Sequence, residues 1–339
     1  MEICSLKRED EVEWDRYVNN HPHTTFYHQL NWKNVIEKSY GNKPYYICAK
    51  EKDETVGVFP LFFINNLFFG KKIISIPFAP YGGVAGNNNK IEESLIKYAI
   101  EIMRQKSADF LEIRNNSKKV PNFSANDNYI TFILELDKDP QVVWRGFNNK
   151  VRNAIRKSIN SKLEIKSGNL ECFYRLYSKN MRDLGTPTHS KEFFKAVLSE
   201  FQEKSEIITV WYRHRPISTA ILLYFKDTVI SGWAALDRDY RHLNPNDLLY
   251  WNAIRNACEK NYKFFDFGRS IESSGTYRFK KPWGAKEIKL QYIYYLNNIR
   301  TIPDTSQKNT KRKMFARFWR RMPIQLANLL GPELRKNYL

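Results

Sequence analysis

The chain has only four cysteines in 339 residues (Cys4, Cys48, Cys172 and Cys258), widely separated and with no C-x-x-C pair. That spacing excludes a disulfide-stapled scaffold and a zinc ribbon, and it reads as free thiols in a reducing compartment. No apolar run approaches the ~18 residues that would mark a membrane-spanning helix. The opening MEICSLKRED is charged throughout, so no secretory leader is expected and the protein is expected in the cytoplasm. G-x-S-x-G, Walker A and Rossmann glycine patterns are all missing, which sets aside serine-nucleophile and hydride-transfer chemistry. Acidic residues are also short, with 36 Asp+Glu against 55 Lys+Arg and a net charge of +19. Such an excess points to a polyanionic neighbour (nucleic acid, a phosphate-bearing substrate or an anionic membrane) or to a solvated basic surface.

What is present can build packed interiors. Hydrophobic residues make up 42% of the chain and aromatics 15%, and the length suits two domains. Segment order argues the same way. YYICAKEKDETVGVFPLFFINN reads as two strands around a charged turn, KKIISIPFAPYGGVAG as a strand entering a loop, and residues 90–106 as a helix with Ile91, Leu95, Tyr98, Ala99 and Met103 at helical spacing. ADFLEIRNN then returns as a strand. About 155–160 residues later the order recurs: EIITVWYRHRPISTAILLYFKD, VISGWAAL, a helix from Pro245, and KFFDFG. The repeat predicts an α/β fold of mixed sheets flanked by helices, in two tandem domains. Their expected limits are 1–140 and 141–300, with a separate tail over 301–339.

Three further stretches carry charge or metal-ligand side chains. A basic helical segment opens the second domain, with Arg145, Lys150, Arg152, Arg156, Lys157 and Lys162; Arg152 and Arg156 are one helical turn apart and share a face. The tail joins Lys308, Lys311, Arg312, Lys313, Arg317, Arg320 and Arg321 to interleaved Phe, Trp, Met and Leu, with Pro323 breaking any single helix. Over 308–330 it reads either as an interfacial contact with an anionic membrane or as a tail folded back onto a domain. His21, His23 and His28 lie close together, but no Cys, Asp or Glu at a recognised spacing completes a metal site, and a loop and helix cap accounts for them better. No metal and no bound cofactor are expected.

The candidate site is residues 263–286, KFFDFGRSIESSGTYRFKKPWGAK. An aromatic strand stops at a glycine, a Ser/Gly-rich link follows, and Tyr277, Arg278, Phe279, Lys280, Lys281 and Trp283 form a cationic aromatic cluster. Cations among aromatics suit acyl transfer to an amine, in which an oxyanion develops and needs a preorganised donor. Lys280 is the candidate, unless the cluster's cations merely face solvent. Asp266 reads as a general base or as a buried carboxylate paired with Arg269.

D-F-G-R-S followed by S-G-T-Y-x-F-K-x-x-W-G resembles the signature of FemAB-like acyltransferases, which are built from GNAT-type domains. MRDLGTPTHSKEFF and MPIQLANLLGP extend the resemblance to FemAB proteins associated with PEP-CTERM and exopolysaccharide gene clusters. The resemblance implies transfer of an aminoacyl group from charged tRNA to an envelope precursor, peptidoglycan or exopolysaccharide, at the inner face of the membrane. It implies catalytic roles for Phe279 and Lys280. It also implies substrate binding by Trp32 with Lys33 or Lys38 and at the position of His189; the residue pattern itself adds Arg152 and Arg156 to gather an anionic substrate, and Arg269, Tyr277, Arg278 and Trp283 around the pocket. His189 stands where the family carries an arginine for precursor phosphate, so a nucleotide-linked rather than lipid-linked acceptor is not fixed. GNAT enzymes that use acyl-CoA seat its pyrophosphate at a helix N-terminus behind a Gly-rich turn. DYRHLNPNDLL has no glycine there, which weakens acyl-CoA as donor. Acyl-CoA-dependent N-acetylation in polysaccharide synthesis and a non-catalytic nucleic-acid- or membrane-binding scaffold are the alternatives.

Overall fold

A computed structural model describes residues 1–66, 70–115, 124–302 and 310–337; the sequence-predicted tail cation Lys308 lies outside them. The chain divides into two compact units. One comprises Met1–Tyr129 and the strand that begins at Lys289; the other comprises Ile130–Ile288 and the C-terminal helices.

The first unit opens with β1 (Glu2–Ser5), α1 (Glu11–Asn20) and α2 (Leu30–Tyr40), followed by β2 (Lys43–Pro44), β3 (Ile47–Glu51), β4 (Glu54–Phe59), β5 (Phe62–Asn66), β6 (Gly70–Ile74) and β7 (Ala85–Gly86). α3 (Asn89–Gln105) starts where the Asn88 side chain accepts from the Ile91 N–H, a standard helix N-cap. It leads to β8 (Phe110–Asn115), which pairs in parallel with β6. Ile91, Leu95, Ala99 and Met103 line the buried face of α3, as their spacing predicts, and pack with Ile47, Phe59 and Leu111 into one core.

The second unit takes in Ile130–Glu135 of β9 (Ser124–Glu135), then α4 (Pro140–Gly146), α5 (Asn149–Asn160), β10 (Glu164–Ser167), α6 (Leu170–Leu184), α7 (Lys191–Phe201), β11 (Ser205–Tyr212), β12 (Arg215–Phe225) and β13 (Thr228–Leu236). α8 (Pro245–Glu259) crosses to β14 (Phe264–Asp266), which pairs in parallel with β13. β15 (Ser270–Ile271) and α9 (Gly275–Lys280) follow. β12 is buried along nearly its whole length because α6 and α8 both pack on it, which explains its almost unbroken apolar run. Both units therefore contain a strand, a crossover helix and a parallel return strand, the tandem α/β architecture the repeat predicts.

β16 (Lys286–Leu296) was not foreseen, and it corrects the expected domain limits. From Gln291 to Leu296 it pairs antiparallel with β8, so this part of the expected second domain completes the first. β9 does the equivalent for the second unit, pairing Ile133–Glu135 with Phe264–Asp266. The tail does not stand apart either: α10 (Thr310–Trp319) and α11 (Ile324–Asn337), separated at Pro323, pack on α6. The basic segment also differs from the single helix expected. It is two helices, because Phe147 and Asn148 are extended and Asn148 caps α5 by accepting from the Lys150 N–H.

Ile293 of β16 is 1% exposed and belongs to the first unit's core. Ile293→Ala is expected to cost about 2–4 kcal/mol in urea unfolding. Amide exchange should accelerate in β8 and α3 and stay unchanged in β14.

Candidate active site

The site is built where β14 ends. Phe264 at the start of the strand is exposed, whereas Phe265, Asp266 and Phe267 are all buried. The Asp266 carboxylate accepts from the Thr131 hydroxyl on β9 and from the Gly268 N–H at 2.7 Å. Gly268 then turns the chain at φ +74, and a Cβ there would lie 2.8 Å from the Ser231 carbonyl oxygen. Only glycine meets both demands. Beside it, β13 carries a bulge: Ile221 opposes Trp233 while Leu222 opposes Ser231, which leaves Gly232 as the extra residue. Bulges of this kind re-aim a strand next to functional groups.

Lys280 closes the site. α9 starts at Ser274, whose hydroxyl accepts from the Tyr277 N–H at 3.2 Å, and the helix is just long enough to present Lys280 in its last turn. The ammonium donates to the Gly268 carbonyl at 2.7 Å and the Arg269 carbonyl at 3.3 Å. It is 6% exposed. Burial pushes its pKa down to about 8; Asp266 opposes that shift and Arg269 adds to it. Two of the three ammonium protons are thus committed to backbone oxygens, leaving one for a reacting group.

Phe279 and Trp283, its neighbours in sequence, belong to a cluster of aromatic rings. Trp283 is fully buried, 5.1 Å from Phe147, 5.6 Å from Phe267 and 5.9 Å from Phe279 between ring centroids. Tyr250 of α8 stacks on Phe267 and touches Phe279, and its hydroxyl lies 3.0 Å from that of Ser231. Tyr277 packs on Phe132 and donates to Glu287 at 3.0 Å. Arg278 and Arg269 are exposed. Among the described residues, the Ser270 hydroxyl and the Trp283 indole N–H are buried without a hydrogen-bond partner, so polar capacity remains in this segment.

The other expected residues fall elsewhere. On α5, Arg156 is exposed over the Trp144 ring, and Arg152, half-buried, bonds the Arg145 carbonyl at 3.0 Å. Trp32 belongs to the first unit's interior and donates to the Pro77 carbonyl. Lys33 is paired with Glu11 and Glu37, while Lys38 is exposed. His189 is 1% exposed, stacked on Phe193 and bonded by Arg335 at 3.3 Å. Burial, then the Arg335 charge, hold its pKa well below the ordinary value. It is therefore an uncharged packing residue, unsuited to holding a phosphate. His28 caps a turn by accepting from the Thr25 N–H. Among the described residues no cluster of three His, Cys, Asp or Glu is placed to hold a metal.

Thr131, Ser231, Tyr250 and Asp247 were not read from the sequence as site residues. Asp247 sits in the first turn of α8, where burial raises its carboxyl to about 6 against the pull of Lys150.

Residues 145–281 match the acetyltransferase (GNAT) domain family. Among solved structures, FemX superposes with a TM-score of 0.70 at 16% identity, over 88% of this chain and 98% of that one. The C-terminal domain of a putative lysylphosphatidylglycerol synthetase from Agrobacterium fabrum gives 0.55 at 10% identity, over 84% and 91%. A tandem GNAT protein from the clavulanic acid biosynthesis pathway gives 0.58 at 10%, over 89% and 99%. Comparison with curated protein sequences gave no significant match. The second unit thus carries a region similar to the acetyltransferase (GNAT) domain family. The chain as a whole shares its fold with FemX.

Thr131→Val leaves the buried Asp266 one donor short. It should destabilise the protein by about 1–3 kcal/mol in urea unfolding.

Proposed function

We propose that this acyltransferase moves an aminoacyl group from charged tRNA to an amine of a cell-envelope precursor. The observation that carries the reading is the Lys280 ammonium, buried and held by two carbonyls, with one proton left to donate. Amine attack on the aminoacyl ester forms a tetrahedral carbon whose oxygen becomes an anion, and an oriented N–H donor in a dry site stabilises that charge far better than water does. Collapse then forms the amide, breaks the ester, and releases the ribose hydroxyl once it has gained a proton. Phe279 and Trp283 shape the pocket. Tyr277 and Arg278 line the approach for the acceptor, and exposed Arg156 with neighbouring Lys150 and Lys157 offers a cationic surface for the phosphates of a tRNA end. Asp266 serves the β14 turn rather than acting as base.

Two features favour charged tRNA over acyl-CoA. The start of α8 has no glycine turn, and it already holds the half-buried Asp247 carboxylate where a pyrophosphate would need bare N–H groups. The acceptor is an anionic envelope precursor, nucleotide- or lipid-linked. A likeness in fold to a putative enzyme whose name couples lysine to phosphatidylglycerol supports that class.

The test supplies labelled aminoacyl-tRNA and, separately, labelled acetyl-CoA, with envelope precursors as acceptors. Transfer is expected from tRNA alone, and Lys280→Ala or Lys280→Met should lower turnover by about 10²–10³-fold with folding intact. Transfer from acetyl-CoA alone would establish an N-acetyltransferase. No transfer from either by folded protein would favour a binding scaffold.

The pH profile checks the charge state. A lysine acting as a cation with a pKa of about 8 loses its proton as pH rises, so turnover should fall above about pH 8. A rise through that range would assign Lys280 as a base instead.

A further inference from the structure

The two C-terminal helices have two dissimilar faces. The inner face is anchored: Trp319, Met322 and Ala327 form a small buried cluster with Phe315 against it. Arg182 donates to the Met322 carbonyl at 3.2 Å and Arg320 to the Leu184 carbonyl at 3.4 Å. Gly185 lies close against Ala316, and Gly331 against Thr188. These contacts hold α10 and α11 in place without help from the opposite side.

The outward side is apolar. Met314 is 70% exposed, Phe318 65% and Leu329 70%. Leu326, Leu330 and Leu334 are 48%, 45% and 38% exposed. Met314 and Phe318 are one turn apart on α10, and Leu326, Leu330 and Leu334 repeat every fourth residue along α11, so each helix presents a stripe. Lys313, Arg317, Arg320 and Arg321 are exposed on or between the same helices. Residues 310–337 contain eight basic residues and one acid, Glu333.

We propose that this face is a docking surface for an anionic lipid bilayer. The charge decides between occupants. A second copy would bring the four exposed cations against the same four, whereas a phospholipid surface offers opposite charge at the level of the arginines and an apolar layer beneath for Phe318 and the leucines. The surface lies on helices that also pack on the loop following α6, which contains His189, so docking presents this unit to the membrane in one orientation. The inference does not depend on the proposed reaction.

The test is sedimentation of the full chain with vesicles of phosphatidylcholine and with vesicles that also contain phosphatidylglycerol, alongside light scattering of the free protein. Binding is expected only to the phosphatidylglycerol vesicles and should weaken with added salt. Phe318→Glu with Leu329→Glu, and separately Arg317→Glu with Arg321→Glu, should each lower it by about tenfold or more. All four side chains are exposed, so circular dichroism should match wild type. Absence of binding, equal binding to both vesicles, or a dimer in light scattering that Leu329→Glu dissolves would each overturn the proposal. Vesicle binding requires no transfer, so a failure of the proposed reaction leaves this result standing.

Discussion

A buried ammonium must find oxygen, and this requirement organises the second unit. Lys280 is taken out of water, and the cost is offset by the Gly268 and Arg269 carbonyls and by the nearby Asp266 charge. Those carbonyls point at the lysine only because the chain turns at Gly268 in the left-handed region. That turn is in turn fixed by the Asp266 carboxylate accepting the Gly268 N–H. The parallel pairing of β14 with β13 and the packing of Tyr250 on Phe267 place the turn beside the bulge in β13. Removing any one of these supports leaves the charge either wet or unpaired.

The order of the fold was legible because it rests on local periodicity. Alternating hairpin strands, a helical stripe from Ile91 to Met103 and the proline start of α8 are each encoded within about a dozen residues. Lys280 was legible for a similar reason: it is a cation flanked by aromatics within a few residues of sequence. The helix that presents it was less so, since Gly275 and Thr276 are poor helix formers and only Ser274 marks the start. Thr131 contacts Asp266 from 135 residues away, and no spacing rule reaches that far. The surroundings of His189 were only half legible. Phe193, four residues on, stacks on it, but Arg335 reaches it from the tail, whose packing the local pattern around His189 does not encode.

Charge reads differently once placed. Lys33 is partnered by Glu11 and Glu37 on the first unit's own helices, whereas Arg156, Lys150 and Lys157 face solvent on α5. Such pairs cancel within the net charge of +19, and much of the excess lies on α5, which has no acidic residue, and on the terminal helices. Surface pairs contribute little to stability, so the uncompensated cations bear on association more than on folding.

The exchange of β16 has a consequence for synthesis. The first unit's sheet has β8 in place by Asn115, yet the strand that pairs with β8 begins to be used only at Gln291. At about 5–20 residues per second, those intervening residues take roughly 10–35 s to translate. For that interval the nascent chain presents an unpaired β8 edge while the second unit is still being made. The half that emerges first is completed only after nearly all of the other half has been made.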